Sequence, residues 1–416
     1  MNILSLKLMS RYVLLGVWIS LWSCQLKPLP DAVVLSEQEI DLSEVRDSAL
    51  HDLKKLSHMH VDTTRFPRSW DGKKQSLILD PDYIWTSGFY AGCLWKAYAM
   101  TGDTTWLPKA RTYTWAMRDQ SLNKSTHDLG FMIMNSFGQG VLCEENTAWD
   151  SVLLTAAQTL KERFVPAVGA IQSYGSLEER MCPVIIDNLM NLELLFWASR
   201  QTGDTTFARI AELHADFSLQ NHQRSDGSMI HVIVWDKEEK KWNDDLAGQG
   251  KSEKTTWSRG QAWAIYGFGM VYQYTGDVRF LHAAQAAAAY WLNRLPNHEV
   301  PFWDFDLVAG DPPFRDASAA AIATVGLLRL ADWADDAHYR SAAQQTFIRL
   351  SQAPYRDSSD PFILSHAVGS VPHAHDVDRP LIYADYYYLE ALTYLLENEK
   401  KAPYLEKNRK AAATNN

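Results

Sequence analysis

The stretch Thr-Gly-Asp-Thr-Thr-Trp at residues 101–106 decides the fold, because it recurs along the chain. It returns as Thr-Gly-Asp-Thr-Thr-Phe at 202–207, as Thr-Gly-Asp-Val-Arg-Phe at 275–280, and in degenerate form as Asp-Ala-His-Tyr at 336–339. The glycine ends one helix in a left-handed cap, the aspartate caps the next helix, and the aromatic residue begins its apolar stripe. Each phrase therefore predicts the turn of a helical hairpin.

The segments on the two sides of these turns differ in their apolar pattern. Those after a turn are amphipathic, as are residues 43–59 and 147–163, which is typical of outer helices. Those before a turn are apolar nearly all round, which is typical of surrounded helices. The predicted inner helices are 87–100, 129–143, 185–201, 260–274, 317–333 and 381–397. Twelve alternating helices predict an all-α fold, an (α/α)6 six-hairpin toroid barrel, with one strand-like hairpin near 228–235.

This barrel is expected to occupy residues 37–400 as a single catalytic domain, followed by a polar tail at 401–416. The formal net charge of -10 argues against a general binder of nucleic acid or other polyanions, since these are held by clustered Lys and Arg. The spacing of Cys93, Cys143 and Cys182 indicates neither a disulfide framework nor a zinc site, so they are expected to be small core residues.

The first residues have the layout of an export signal. Lys7 and Arg11 precede an apolar run at 12–21, which is too short to span a bilayer, and Leu-Trp-Ser-Cys follows at 21–24. That ending resembles a bacterial lipobox. It predicts a lipoprotein-type signal peptide at 1–23, a lipid anchor on Cys24 and a tether at 24–36, hence an exported, membrane-anchored protein of the periplasm or cell surface. The alternative is an ordinary cleaved signal in which Cys24 falls by chance.

If the helices alternate in direction, all inner helices begin at one end of the barrel, called the mouth below. Carboxylates, aromatic rings, Arg and His stand just before or within their first turns. These residues are Trp85, His127, Asp128, Asp187, Trp257, Arg259, Arg315, Asp316, Tyr383 and Asp385. Carboxylates that interact can divide acid and base roles, and aromatic faces stack on sugar rings. The mouth therefore resembles a sugar-cleaving cleft.

Each of these residues also has a structural interpretation. Asp128, Asp187 and Asp316 stand where a helix cap would stand. Trp85, Trp257 and Trp263 can be core aromatics, and a lone His231 in an alternating segment is more often structural than functional. Arg259 is harder to explain in this way, because a guanidinium that leads an apolar helix needs an anionic partner.

Six motifs carry a resemblance to a known family. They are Phe-Pro-Arg-Ser-Trp (66–70), Trp-Thr-Ser-Gly-Phe (85–89), His-Asp-Leu-Gly-Phe (127–131), Ile-Asp-Asn-Leu-Met-Asn-Leu (186–192), Trp-Ser-Arg-Gly-Gln-Ala-Trp (257–263) and Tyr-Ala-Asp-Tyr (383–386). In this order they resemble the unsaturated glucuronyl hydrolases, glycoside hydrolase family 88. The resemblance implies an α/α six-hairpin barrel, in agreement with the repeats. The sequence departs slightly at 316–319, where Asp-Ala-Ser-Ala stands instead of Asp-Ser-Ser-Ala.

The resemblance implies that Asp187 is the general acid and base, with Asp128 beside it. It places in substrate contact Trp85, His127, His231, Gln249, Trp257, Arg259, Trp263 and Tyr383. The implied substrate is an acidic oligosaccharide that ends in a 4,5-unsaturated uronic acid, as a polysaccharide lyase leaves it. Asp187, with a raised pKa, would protonate its vinyl ether and then activate water. No cofactor and no metal is expected, because no His, Cys and Asp spacing offers a metal site.

Two other functions compete with this one. Unsaturated rhamnogalacturonyl hydrolases share the barrel, although His127 before Asp128 and the motif from Trp257 to Trp263 favour the glucuronyl group. A non-catalytic, glycan-binding surface lipoprotein would also be exported and rich in aromatic residues, but it has no reason to gather acids and Arg at one end. In the segment 365–380, four basic side chains either meet sulfate groups of the substrate or simply lie on the surface: His366, His373, His375 and Arg379.

Overall fold

The computed structural model describes residues 40–243, 246–295, 297–357 and 359–413, and for 399–413 the backbone alone. Helices of an outer and an inner layer alternate along this part of the chain. The outer layer contains α1 (Leu42–Met59), α3 (Leu107–Ala116), α5 (Thr147–Lys161), α7 (Thr205–Asn221), α9 (Val278–Arg294) and α11 (Ala337–Leu350). The inner layer contains α2 (Ser87–Thr101), α4 (Gln139–Cys143), α6 (Leu192–Thr202), α8 (Ser258–Thr275), α10 (Ala317–Trp333) and α12 (Ile382–Ala413).

Two inner helices have unusual first turns. A π-helix (Gly130–Gly138) precedes α4, and a 3-10 helix (Ile186–Asn191) precedes α6. The inner helices pack side by side in a ring, in which α12 returns to α2. The predicted (α/α)6 barrel is therefore confirmed. Its last helix runs to Ala413, beyond residue 400, where the sequence predicts the end of the domain. The predicted signal peptide and the predicted tether lie outside the described residues.

The repeated turns have the predicted geometry. Gly102, Gly203 and Gly276 follow inner helices with φ of 67°, 74° and 71°, in the left-handed region that only glycine adopts without strain. In the turn before α7, Asp204 accepts the backbone N–H of Thr206 at 2.9 Å. Asp103 before α3, Asp277 before α9 and Asp336 before α11 likewise accept the backbone N–H two residues further on. Local chemistry thus makes the chain reverse direction at each of these turns.

The described residues contain more strands than the sequence predicts. The predicted hairpin near 228–235 is instead one strand, β6 (Val232–Asp236), between β5 (Met181–Ile185) and β7 (Lys241–Asn243). Two further antiparallel pairs were not predicted: β1 (Arg65–Asp71) with β2 (Ser76–Pro81), and β3 (Phe164–Val165) with β4 (Ala170–Ile171). Such short strands escape detection because their partners, not their own pattern, decide that they form. β5 ends just before Asp187, so the sheet positions that residue.

A buried ionic network lies deep inside the barrel. Glu390 of α12 accepts hydrogen bonds from Tyr266 and Arg329, each at 2.6 Å, and Lys96 lies 3.6 Å from its other oxygen. These residues stand eight to twelve positions into their helices, roughly 12–18 Å from the mouth. Burial raises the pKa of Glu390, but Lys96 and Arg329 outweigh burial and hold this pKa below its usual range. The network joins α2, α8, α10 and α12.

Among the described residues, no helix is both long and apolar enough to cross a membrane. Cys93 and Cys182 are buried, as predicted for core residues, whereas Cys143 is only partly buried.

Candidate active site

The starts of four inner helices meet at the mouth through their aromatic rings. Trp85, just before α2, packs against Tyr383 of α12 with ring centroids 4.8 Å apart. It also packs against Phe131 of the π-helix at 5.3 Å, and Phe131 packs against Trp263 of α8 at 5.1 Å. The predicted convergence of the inner helices at one mouth is therefore confirmed. Trp263 is fully buried and forms part of the floor.

Two of the mouth carboxylates serve the fold. Asp316 caps α10 by accepting the backbone N–H of Ser318 at 3.0 Å, and it also pairs with Arg259 at 3.1 Å. Asp385 accepts two backbone N–H bonds at 2.9 Å, from Ile363 and Leu364. Both carboxylates are fully buried. Burial raises the pKa of Asp385 despite these two bonds. The structural interpretation offered for Asp316 is therefore correct.

Asp187 is a different kind of acid. It stands in the first turn of the 3-10 helix, yet its side chain caps no backbone N–H, so the helix-cap interpretation is wrong for this residue. Its buried Oδ1 lies 3.4 Å from Nε2 of His231. Burial raises the pKa of Asp187, but His231, Arg259 and His127 outweigh burial and hold this pKa below its usual range. The raised pKa expected from sequence is therefore wrong for the enzyme without substrate.

Asp128 is held near the site by its neighbours in sequence. One carboxylate oxygen lies 3.2 Å from Nε2 of His127, and the other accepts the hydroxyl of Thr126 at 2.9 Å. The Asp128 side chain is one-fifth exposed, so a ligand at the mouth can reach it. Asp128 is not a cap of the kind that Asp316 is, because neither of its carboxylate oxygens accepts a backbone N–H of the described π-helix.

Two polar residues tie the segments that carry Asp128 and Asp187 together. The Ser173 carbonyl accepts the backbone N–H of His127 at 3.1 Å. The Ser173 hydroxyl accepts the backbone N–H of Ile185 at 3.0 Å. The Asn191 side chain accepts the backbone N–H of Phe131 at 2.9 Å. Neither residue was assigned a role from the sequence: Ser173 lies in a loop without a motif, whereas Asn191 belongs to the motif at 186–192, which was the signal that could have found it.

Arg259 has its anionic partner within the protein. Besides Asp316, its guanidinium donates to Gln249 Oε1 at 2.6 Å, to the carbonyl of Gly369 at 2.7 Å and to that of Val368. The guanidinium lies 4.4 Å from the ring of Trp257, and Arg259 is only 1% exposed. In this structure Arg259 therefore holds the segment 365–380 over the mouth. Its predicted contact with substrate stays a prediction.

The basic side chains of the segment 365–380 have partners in the protein. His366 lies 2.6 Å from Asp378, Ser370 lies 2.7 Å from His373, and Arg379 contacts the carbonyl of Trp70 at 3.3 Å. His373 and His375 are exposed at the surface, whereas His366 is only partly exposed. Both interpretations of these residues, sulfate contact or plain surface, stay open.

The predicted site residues differ in exposure. Trp85, Asp128 and Gln249 are partly exposed. The others are buried around them: His127, Asp187, His231, Trp257, Arg259, Trp263 and Tyr383. Tyr174, which the sequence did not single out, is half-exposed and pairs through its backbone with Thr126 beside the two acids. Within the described ranges, no group of three or more His, Cys, Asp or Glu side chains could hold a metal ion.

A ring of six helical hairpins with acids, aromatic rings and a buried arginine at one mouth defines a carbohydrate-active enzyme of the (α/α)6 barrel class. Comparison with known proteins narrows this class. The chain is 38% identical over 364 residues to an unsaturated glucuronyl hydrolase of Formosa agariphila, covering 86% of this chain and 91% of the relative. It is 34% identical over 343 residues to that of Bacillus sp. strain GL1, covering 80% of this chain and 91% of the relative.

Solved structures agree with these relatives. A crystal structure of an unsaturated glucuronyl hydrolase specific for heparin is similar with a TM-score of 0.82 at 36% identity, covering 86% of this chain and 98% of that one. The crystal structure of the enzyme from Bacillus sp. GL1 has a TM-score of 0.79 at 32% identity, covering 85% and 97%. No family model matches the chain. The chain belongs to the unsaturated glucuronyl hydrolases, a family of glycosidases.

Proposed function

We propose that this enzyme removes 4,5-unsaturated glucuronic acid from the non-reducing end of lyase-generated oligosaccharides by hydrating the vinyl ether, with Asp187 as general acid and base. The observation that carries this assignment is the division of the mouth carboxylates. Asp316 and Asp385 are committed to backbone N–H groups, whereas Asp187 caps nothing and lies beside the imidazole of His231. A buried acid without a structural duty is what proton transfer requires.

The proposed reaction begins with proton transfer from Asp187 to the fourth ring carbon. Positive charge then develops on the fifth carbon and the ring oxygen. Asp187, now anionic, takes a proton from water while the water oxygen bonds to the fifth carbon. The resulting hemiketal opens to a ketone, and the hemiacetal left at the first carbon releases the remaining sugar as an alcohol. One water is consumed, and Asp187 is returned to its protonated form.

Substrate binding has to protonate Asp187, because its pKa lies below the usual range in the enzyme alone. The substrate carries its own carboxylate, and a bound substrate also excludes water. A second negative charge and desolvation both raise the pKa of a carboxylic acid. The acidic substrate thereby creates the acid that it needs. Asp128, one-fifth exposed beside His127, supplies a fixed negative charge that favours protonated Asp187 and stabilises the developing cation.

The substrate class follows from the same chemistry and from the relatives. The aromatic contacts proposed for the sugar ring are Trp85, Trp257 and Tyr383. Relatives of 32% identity are named unsaturated chondroitin disaccharide hydrolases, and a similar structure is that of an enzyme specific for heparin. We therefore propose unsaturated disaccharides of the glycosaminoglycan type as substrates. A panel of lyase products, followed by loss of the ultraviolet absorbance of the double bond, tests this proposal, and no loss on any member overturns it.

Reaction in heavy water tests the chemistry itself. Asp187 exchanges its proton with solvent, so one deuterium should appear on the fourth carbon of the released keto acid. Mass spectrometry or NMR of the product reads this directly. Product without deuterium at that carbon contradicts proton transfer from Asp187.

We further propose that the enzyme is an exported lipoprotein, anchored to a membrane through acylated Cys24, in the periplasm or at the cell surface. The lipobox-like ending at 21–24 supports this proposal. Mass spectrometry of the mature N-terminus decides it. A free N-terminus at any residue other than Cys24 overturns it.

A further inference from the structure

His231 is enclosed on three sides, just before β6. The ring of Trp257 packs against it with centroids 4.3 Å apart. Its carbonyl accepts the backbone N–H of Ile186, the residue before Asp187, at 3.1 Å. On the third side, the backbone at Gly248 passes so close that a Cβ there would stand 2.2 Å from the imidazole Nδ1. Gly248 also has φ of 61°, so any other residue would be strained as well as crowded.

The next residue determines which ring nitrogen carries the proton. The backbone N–H of Gln249 donates to Nδ1 of His231 at 2.9 Å. An amide N–H can only donate, so Nδ1 must be the acceptor, and a neutral imidazole then carries its hydrogen on Nε2. That hydrogen lies on the side of Asp187, whose Oδ1 is 3.4 Å from Nε2. Both atoms are buried, and neither makes a hydrogen bond with any group in the described part of the chain.

We propose that His231 is a positioning residue, a neutral N–H donor that orients the Asp187 carboxylate, with its tautomer set by the Gln249 amide and its position by Gly248. This inference rests on the role proposed for Asp187. This role differs from the substrate contact expected from the sequence, because the Nε2 atom of His231 lies beside the Asp187 carboxylate. The separation of 3.4 Å is long for a hydrogen bond, and such catalytic contacts tighten when substrate binds.

The surrounding charges define what His231 adds. From α8, Arg259 faces Asp187, and His127 does so from the start of the π-helix. His222, at the end of α7, lies near both His231 and Asp187. These groups act through space, whereas the Nε2 hydrogen of His231 lies on the side of the carboxylate oxygen, which accepts no hydrogen bond from any group in the described residues. Loss of His231 should therefore raise the pKa of Asp187 and free its orientation, while Arg259 and His127 remain in place.

NMR of nitrogen-15-labelled histidine tests the tautomer without any need for activity. At pH 7 the His231 side chain should show the Nε2–H form. The molecule contains its own references, because Nδ1 of His214 accepts the N–H of Ile171 at 3.0 Å, whereas Nδ1 of His222 lies 2.9 Å from the carbonyl of Ile230. His214 should thus match His231, and His222 should show the opposite tautomer. The His231 signal is assigned by its disappearance in His231→Gln. A His231 that carries its proton on Nδ1, or that is doubly protonated, overturns the proposal.

Kinetics of His231→Phe and His231→Gln test the effect on Asp187. Phenylalanine keeps an aromatic ring but removes the Nε2 donor, together with the Nδ1 acceptor of the Gln249 N–H, so kcat should fall roughly tenfold to a hundredfold from lost orientation. The alkaline limb of kcat, where Asp187 loses its proton in the substrate complex, should move up by about one pH unit. Glutamine offers a neutral N–H near the position of Nε2 and should leave this limb close to that of the wild type. Gly248→Ala, which crowds the ring without changing it, should resemble His231→Phe.

The outcomes separate this inference from the proposed function. Wild-type enzyme without activity on any unsaturated disaccharide contradicts the proposed function, and the NMR result still stands. If the wild type is active and His231→Phe has a higher KM but an unmoved alkaline limb of kcat, His231 is a plain substrate contact. That result overturns the inference. Equal loss in His231→Phe and His231→Gln, in samples that melt like the wild type, shows that a titrating imidazole is needed and overturns it too.

Discussion

At the scale of single residues, four aspartates near one mouth have three different duties. Asp316 caps a helix and pairs with Arg259, and Asp385 anchors the backbone at 363–364. Asp128 and Asp187 remain for the proposed chemistry. The amino acid is the same in every case, so the partners of its two oxygens decide the role. The substitution of one oxygen by an amide nitrogen therefore has consequences that depend on position.

Asp187→Asn should lower turnover by roughly the 10²–10⁴-fold typical of general acid-base catalysis, because the amide has no transferable proton. Binding should largely remain, since the shape is nearly preserved. Folding should also remain, because this carboxylate caps no helix. Steady-state kinetics and a thermal melt measure these effects.

Asp204→Asn is the matched control for this substitution. Asp204 caps α7 in an outer turn, and asparagine caps a helix equally well, so activity and stability should stay near those of the wild type. An active Asp187→Asn enzyme would rule out Asp187 as the proton donor.

At the scale of structural elements, α7 places polar residues on its inward face. His214, Ser218 and His222 are spaced four residues apart and are fully buried. Burial lowers the pKa of His222 to about 4, and it lowers the pKa of His214 still more strongly. Both histidines are therefore neutral in the folded enzyme at pH values where an unfolded chain would protonate them.

Stability should consequently fall as the pH falls. An unfolded histidine binds a proton near pH 6.5, whereas folded His222 binds one only near pH 4. Between these values the unfolded chain holds more protons, so the free energy of unfolding decreases by about 1.4 kcal/mol per pH unit for each such histidine. Urea unfolding at pH 7 and pH 5 should show this decrease. His222→Gln should reduce this loss of stability between pH 7 and pH 5. His282→Gln, at an exposed site on α9, should leave the loss unchanged.

The ionic network of α2, α8, α10 and α12 gives a second prediction at this scale. Glu390→Gln removes the buried carboxylate that pairs with Arg329 and Lys96, so the free energy of unfolding should fall by about 3–5 kcal/mol. Glu238→Gln removes a carboxylate that is 69% exposed beside Arg180. This variant should change the free energy of unfolding by less than about 1 kcal/mol. Equal effects of the two variants in urea unfolding would contradict the assignment of the network as a structural element.

At the scale of the whole molecule, the proposed hydration uses only side chains that the barrel brings to one mouth, together with water and the substrate. Activity should therefore survive exhaustive chelation, because the acid, its donor and the substrate charge supply every step of the proposed hydration. Assays on unsaturated disaccharides before and after treatment with a chelator measure this. A loss of activity that added divalent metal restores would contradict the mechanism.

The sequence alone determined the architecture. The Thr-Gly-Asp phrases act through caps and turns that involve neighbours only a few residues away, and apolar periodicity distinguishes inner from outer helices within a single segment. The convergence of Trp85, Asp128, Asp187 and Tyr383 then follows from alternating helix direction. The family motifs predicted the enzyme class as well.

The tertiary structure alone decided the duty of each acid at the mouth. Arg259 and Asp316 are 57 positions apart, and Ile363 reaches Asp385 across 22. No local pattern reveals such pairs. The direction of the Asp187 pKa was predicted wrongly, because burial and the nearby His231, Arg259 and His127 oppose each other and only their distances settle the balance. Short strands such as β1 and β2 were missed for the same reason, since each is stabilised by a partner strand and not by its own sequence.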